Sequence, residues 1–193
     1  MKRALGELRI IGGEWRSRLV NFDADPETGL RATPDRVRQT VFDWLHPVIN
    51  GALCLDLFAG SGAMGLEALS RGAGHCTFID TGRAQVQDIR HAIATFKGGE
   101  RATVIQADAL RWLHTPTLAS GKQGFDVVFI DPPFATGNLL AQALPLLGPL
   151  LKPGNRVMLE WGTAAAPELP PGYVWLKEKK AGQVSYGLVT HEA

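Results

Sequence analysis

The sequence predicts a doubly wound α/β fold, with a small extension in front of it. From Leu53 onward, short apolar runs alternate with amphipathic stretches of helix length. Runs such as Val127-Val128-Phe129-Ile130 are apolar at every position, which is typical of parallel strands with both faces covered. The last two strand candidates follow each other without a helix-length stretch, which predicts an antiparallel hairpin. Folds of this kind bind ligands at the carboxyl ends of their strands.

The elements after residue 50 follow from this alternation. Strands are predicted at residues 53–58, 76–80, 103–106, 126–130, 156–160, 174–177 and 184–190. Helices are predicted at residues 63–70, 83–96, 109–113 and 139–151. Residues 179–183 are expected to join the last two strands.

The first fifty residues form a different pattern. Residues 8–11 and 14–20 predict a β-hairpin, and Gly12-Gly13 between them tolerates the positive φ of a tight turn. A helix is predicted next, with Thr33 as its N-cap, Pro34 at its first position and Pro47 at its end. We therefore expect residues 1–50 to form an appendage on the edge of a main domain at residues 51–193.

Composition excludes several classes of protein. A chain of 193 residues with 45% hydrophobic and 20% charged residues fits one ordinary globular domain. It contains no apolar run of membrane-spanning length, and no apolar stretch follows the basic amino terminus as in a secretory signal. Cys54 and Cys76 lie in predicted strands, which favours reduced thiols in a cytoplasmic protein. No Cys/His cluster has metal-ligand spacing, so no metal is expected.

A glycine-rich loop follows the first strand of the main domain. Gly60, Gly62 and Gly65 fit the pattern G-x-G-x-x-G, which is typical of dinucleotide sites, although glycines can also serve only a tight turn. Asp56 precedes the loop, and its carboxylate would repel a pyrophosphate. S-adenosylmethionine has no phosphate and carries an ammonium and a sulfonium, so Asp56 favours this cofactor.

Further cofactor contacts are predicted at the next two strand ends. Asp80 is placed to accept hydrogen bonds from both ribose hydroxyls. Asp108 could contact the adenine amine, with Ala107 and Ala109 flanking the ring, or it could cap the short helix that follows. The complete predicted cofactor site is Asp56, Phe58, Ala59, Gly60, Ser61, Gly62, Asp80, Asp108 and Ala109.

The fourth strand ends in Asp131-Pro132-Pro133-Phe134, the predicted catalytic segment. Two prolines remove two backbone donors, which leaves the Asp131 carboxylate and the Pro132 carbonyl as acceptors. An exocyclic amine of a base is a poor nucleophile, and two acceptors on its hydrogens can turn its lone pair towards a methyl group. Asp131 would accept the proton, and Phe134 would stack on a splayed-out base, worth about 1–3 kcal/mol. The alternative is a strand-ending turn with Phe134 in the core.

With these motifs in place, the chain resembles the RsmD family of bacterial 16S ribosomal RNA guanine-N2 methyltransferases. The resembling segments are residues 9–18, 29–45, 55–62, 78–80 and the Asp-Pro-Pro-Phe motif. The resemblance implies a class I methyltransferase fold with a seven-stranded sheet and methylation of a guanine N2 in small-subunit rRNA. Asp80 stands where the family commonly has glutamate, Ser17 where it often has glycine, and Ala32 where it often has proline.

The resemblance also gives the basic amino-terminal segment a role. It would help to hold RNA or the assembled 30S subunit, and the protein is expected to be a monomer that acts without a membrane. The predicted RNA contacts are Arg9, Trp15, Arg16, Arg18, Arg31, Arg36 and Arg38. Structural readings stay open, because Arg36 or Asp35 could form an ion pair and Trp15 could pack in the hairpin.

Three other functions compete with this hypothesis. The catalytic segment would serve a DNA adenine-N6 methyltransferase or a protein glutamine-amide methyltransferase equally well. The glycine pattern is shared with nicotinamide-dependent oxidoreductases. The same fold could also belong to a non-catalytic RNA-binding assembly factor.

Overall fold

The computed structural model describes residues 5–23, 33–116, 124–133, 138–162 and 166–192. Two predicted site residues, Arg31 and Phe134, lie outside the described residues. Among the described residues, each helix is too short or too polar to cross a membrane.

Nine strands and five α-helices make up the described fold. The two strands of the extension are β1 (Leu5–Arg9) and β2 (Leu19–Asp23), followed by helix α1 (Asp35–Ile49). The main domain continues with β3 (Leu53–Asp56), α2 (Ala63–Ser70), β4 (His75–Asp80), α3 (Arg83–Thr95), β5 (Ala102–Gln106), α4 (Ala109–His114), β6 (Phe125–Ile130), α5 (Leu139–Leu147), β7 (Leu151–Trp161), β8 (Tyr173–Ala181) and β9 (Val184–His191).

A seven-stranded sheet in the order β5-β4-β3-β6-β7-β9-β8 forms the centre of the protein. Strands β3 to β7 are parallel, whereas β9 pairs antiparallel with both β7 and β8. The chain order changes direction between β3 and β6, which places a crevice at the carboxyl ends of these two strands. The predicted fold class is confirmed.

Both faces of this sheet are covered. On β6, Val127 and Phe129 face one hydrophobic core, while Val128 and Ile130 face the other. The first core contains α1, α2, α3 and the β1–β2 hairpin, and the second contains α4 and α5. Burial on both sides explains why the strands read as continuous apolar runs.

The predicted amino-terminal hairpin is present, but the prediction that Gly12-Gly13 forms its tight turn is wrong. Strands β1 and β2 pair from Leu5↔Asp23 to Arg9↔Leu19, and residues 10–18 form a long connection. Gly13 has φ 78°, and a Cβ atom there would lie 1.9 Å from the carbonyl oxygen of Ser70 on α2. Gly13 is therefore needed for a close approach to α2 and not for a two-residue turn.

Helix α1 also differs from its prediction at both ends. Pro34 and not Thr33 is the N-cap, and the helix runs past Pro47 to Ile49. It packs on a face of the sheet and not on its edge, since the rings of Phe42 and Phe129 lie 5.7 Å apart. The domain boundary after residue 50 stays a prediction, but the hydrophobic core continues across it.

Several boundaries in the main domain shift for local reasons. Strand β7 begins at Leu151 instead of residue 156, because an irregularity around Pro153-Gly154 interrupts its pairing with β6 without ending the strand. Helix α5 ends at Leu147 and continues as a 3₁₀ turn. Strand β8 extends to Ala181, so residues 182–183 alone form the turn into β9.

Candidate active site

Four carboxyl side chains end neighbouring strands on the same face of the sheet. Cys54, Phe78, Phe129 and Met158 all point into the core that contains α1 and α2. Because side chains alternate along a strand, the residues two positions later share this face. In strand order β4-β3-β6-β7, these residues are Asp80, Asp56, Asp131 and Glu160. We call this set the carboxyl row.

The glycine loop lies beside the first two members of the carboxyl row. Gly60 and Gly62 have φ values of 51° and 75°, which other residues rarely adopt. Gly65 is needed for a different reason, since a Cβ atom there would lie 2.2 Å from the Phe78 ring. The loop can therefore pass closely from β3 into α2.

Asp56 is buried at the end of β3. One carboxyl oxygen accepts a hydrogen bond of 2.9 Å from the amide of Gly65. Burial raises the pKa of Asp56 to about 8, and the charges of Asp131 and Asp80 add to this effect, whereas the Gly65 bond opposes it. A positively charged group beside Asp56 would stabilise its ionised form.

Asp80 connects the glycine loop to the end of β4. Its two oxygens accept hydrogen bonds of 2.7 Å from the amides of Gly60 and Gly82. Burial raises the pKa of Asp80, while these two bonds oppose the rise. Because each carboxylate oxygen has a further lone pair, Asp80 can still accept ribose hydroxyls. That contact stays a prediction.

The remaining predicted cofactor residues have different environments. Phe58 is half-buried, whereas Ala59 and Ser61 are buried within the loop. Asp108 is exposed and caps α4, accepting a hydrogen bond of 2.9 Å from the Arg111 amide. The capping alternative is therefore confirmed, and contact with adenine stays a prediction. Ala109 packs in the second core.

Asp131 is half-buried immediately after β6, and Pro132 is buried while Pro133 is exposed. The Thr33 hydroxyl donates a hydrogen bond of 3.3 Å to Oδ2 of Asp131. Burial raises the pKa of Asp131, and the bond from Thr33 opposes this rise. A carboxyl group with a raised pKa is a better proton acceptor than an ordinary aspartate.

Sequence reasoning missed two residues of this site. Thr33 lies 98 positions from Asp131 in the chain, and no local pattern could join them. Glu160 had a recognisable signal, because it ends an apolar strand in the same way as Asp56, Asp80 and Asp131.

The structure contradicts two of the predicted RNA contacts. The side chain of Arg38 is fully buried, where it donates to the carbonyl of Arg9 at 2.7 Å and to Asp35 at 2.5 Å. Trp15 is 2% exposed and packs on the Phe96 ring, with centroids 5.1 Å apart. Both residues stabilise the fold and cannot contact RNA from these positions.

Glu67 explains why the extension needs a buried arginine. It lies on α2 with no exposed surface and accepts hydrogen bonds from the amides of Ile11 and Gly12, at 2.9 and 2.8 Å. Arg71 binds the same carboxylate at 2.7 Å, and Arg38 approaches it to 4.0 Å. This Glu67 network fastens the β1–β2 connection to the helix that follows the glycine loop.

The other described arginines of the predicted RNA surface are exposed, but they do not lie together. Arg36 is in the first turn of α1, three residues after Thr33, and the backbone of Arg9 contacts Arg38 nearby. Arg18 contacts the carbonyl of Thr95 at the far end of α3, which is about 20 Å from the carboxyl row. Arg16 lies in the same connection, which is packed against the end of α2.

The fold and the site define a class of protein. A parallel sheet of this order, a glycine loop after its first strand and an Asp-Pro-Pro turn after its fourth are the features of a class I methyltransferase.

Comparisons with known proteins identify the family within this class. The family described as "Conserved hypothetical protein 95" matches residues 8–190. The chain is 43% identical to Ribosomal RNA small subunit methyltransferase D of Escherichia coli (strain K12), over 97% of this chain and 92% of that protein. It is 42% identical to the protein of the same name from Haemophilus influenzae, over 96% and 94%. The solved structure of yhhF from Escherichia coli superposes with a TM-score of 0.81 at 40% identity, over 97% and 99%. The chain belongs to this family, and its resemblance to the RsmD family is confirmed.

Proposed function

We propose that this protein transfers a methyl group from S-adenosylmethionine to the exocyclic N2 amine of a guanine in 16S ribosomal RNA. The observation that carries the proposal is the position of Asp131 and Pro132 at the end of β6, next to the buried Asp56 of β3. The relatives named Ribosomal RNA small subunit methyltransferase D support the choice of substrate.

The residues around the glycine loop fit a cationic cofactor better than a dinucleotide. A pyrophosphate needs free backbone N–H groups, but the N–H of Gly60 is bound to Asp80. Asp56 adds a second carboxyl group to the same place. These groups would hold the ammonium and the ribose of S-adenosylmethionine, which supplies an electrophilic methyl group when bound.

The acceptors at the end of β6 would prepare the amine for attack. The Asp131 carboxylate and the Pro132 carbonyl accept its two hydrogens and direct the nitrogen lone pair to the methyl carbon. A nitrogen–carbon bond forms as the carbon–sulfur bond breaks, and the amine proton passes to Asp131. Both contacts strengthen as positive charge develops on nitrogen, so they favour the transition state over the bound substrate. Stacking by Phe134 is part of the proposal and lies outside the described residues.

The exposed arginines suggest an RNA contact in two parts. Arg36 with Arg9 would act near the reacting base, and Arg16 with Arg18 would act about 20 Å away, along α3. Two contacts separated by this distance suit a structured ribosomal particle better than a short RNA loop as the substrate. We therefore include the 30S subunit or its assembly intermediate in the proposal as the substrate. The enzyme is proposed to act as a monomer in the cytoplasm.

Nucleoside mass spectrometry tests the proposal. Ribosomes from a strain without the gene should lack one N2-methylguanosine, and purified protein should restore it. Asp131→Asn should restore nothing, whereas Asp43→Asn, on the exposed side of α1, should act like the parent. An unchanged content of N2-methylguanosine in the deletion strain would reject the proposal. Equal methylation rates on protein-free rRNA and on 30S subunits would reject the part of the proposal that makes the 30S subunit the substrate.

A further inference from the structure

Glu160 is the one member of the carboxyl row that the proposed mechanism does not use. It is 4% exposed at the end of β7, and its strand neighbour across β9 is the buried Tyr186. Among the described residues, no hydrogen-bond donor reaches its Oε2 atom. Buried carboxyl oxygens without partners are costly and rare in native proteins, so this oxygen requires an explanation.

Glu160 lies on the side of Asp131 where the methyl acceptor is proposed to bind, and away from the residues proposed to bind the cofactor. Asp80 and Asp56, on β4 and β3, lie on one side of Asp131, and Glu160 lies on the other. Ile130 pairs with Leu159, so Asp131 and Glu160 follow as the next neighbours on strands about 5 Å apart. Side chains at this spacing can converge on adjacent atoms of one base.

Electrostatics agree with this proximity. Burial raises the pKa of Glu160, and the negative charge of Asp131 raises it further. Whether neutral or ionised, a carboxyl group keeps an oxygen that can accept a hydrogen bond.

The exocyclic amines of RNA differ in the ring atom beside them. The amine of adenine adjoins N1 and that of cytosine adjoins N3, and both ring atoms are acceptors. The N2 amine of guanine lies between N3, which is an acceptor, and N1–H, which is a donor. An acceptor placed on the N1–H side of the amine-binding groups therefore distinguishes guanine, which Asp131 and Pro132 alone cannot do.

We propose that Glu160 accepts the N1–H hydrogen of the target guanine while Asp131 and Pro132 hold its N2 amine, and that this contact selects guanine. The inference rests on the proposed function, because it assumes that the amine is bound at Asp131. It makes Glu160 a specificity residue of the same site.

The test compares guanine with 2-aminopurine at the methylated position of reconstituted 30S subunits. 2-Aminopurine keeps the N2 amine but has an acceptor at N1. The parent enzyme should prefer guanine in kcat/KM, and Glu160→Leu should reduce that preference by about 10- to 100-fold, as expected for one lost hydrogen bond to a buried carboxyl group. 2-Aminopurine also lacks the O6 atom, but this loss affects the parent and the variant alike. It therefore cancels when the preference of the parent is divided by that of Glu160→Leu.

Two further variants separate recognition from folding. Glu160→Gln should reduce the preference too, because its amide can donate to N1 of 2-aminopurine. Glu178→Gln, on the exposed strand β8, should leave the preference unchanged. A purely structural Glu160 would give equal preferences in all four proteins, within about threefold, and that result overturns the inference. Failure of the parent enzyme to methylate guanine would instead overturn the proposed function.

Discussion

The protonation of Asp56 makes cofactor affinity depend on pH. With a pKa of about 8 in the empty site, Asp56 is ionised in about one molecule in a hundred at pH 6 and in about half at pH 8. An ammonium group binds the ionised form, so binding below pH 8 must release one proton. The dissociation constant should therefore fall about tenfold per pH unit from pH 6 to about 7.5, and level off above pH 8.

Isothermal titration calorimetry with S-adenosylhomocysteine measures both the dissociation constant and the number of protons released on binding. The ligand has the ammonium group but cannot react. At pH 6.5, titrations in two buffers with different ionisation enthalpies should show release of about one proton per site. Asp56→Asn should bind more weakly than the parent at pH 8 and lose the pH dependence, while Asp43→Asn should reproduce the parent curve. A dissociation constant that is the same at pH 6 and pH 8, without proton release, would refute the assigned role of Asp56.

Three other predictions follow from the contacts around the site. Glu67→Gln removes the buried negative charge that faces both Arg71 and Arg38, although Arg38 keeps its bond to Asp35. It should cost about 3–5 kcal/mol and lower Tm by about 6–20 °C. Glu14→Gln at an exposed ion pair should cost under about 1 kcal/mol, and equal melting curves would contradict the role of Glu67 in fastening the extension to α2. Thr33→Val removes the hydrogen bond that lowers the pKa of Asp131. The acidic limb of the pH profile of kcat should therefore move to higher pH by under about one unit. A shift to lower pH would be inconsistent with this contact. Arg36→Ala should reduce the slope of log affinity against log salt for 30S subunits by about 1 with Tm unchanged, and an unaltered slope would remove Arg36 from the RNA surface.

The fold could be predicted because its signals are local. Alternation of apolar strands and amphipathic helices predicts the main domain, and only residues near the ends of strands and helices shift. Glycine and aspartate also mark the strand ends locally, which is why Asp56, Asp80 and Asp131 were found. The boundary of β7 was missed because Pro153-Gly154 looks like a break, whereas the strand tolerates an irregularity there.

The amino-terminal segment could not be interpreted in this way, because its partners are distant in sequence. Glu67 binds amides 56 and 55 positions earlier. A basic residue in such a segment suits an RNA surface or a buried ion pair equally well, and sequence does not show which carboxylate faces it. The sequence therefore predicts an RNA contact for Arg38, whereas its buried side chain belongs to the Glu67 network.

The order of charges in the carboxyl row connects cofactor binding with base selection. Like charges on neighbouring strands cannot all ionise in the empty site, since the pKa of Asp56 and that of Glu160 are both raised by the charge of Asp131. A cation beside Asp56 relieves this repulsion most strongly at Asp56 and next at Asp131, while Glu160 is furthest from it. In either protonation state Glu160 keeps an oxygen that can accept the N1–H hydrogen of guanine. The bound cofactor would thus favour a charged proton acceptor at Asp131, so guanine should bind more tightly after the cofactor than before it.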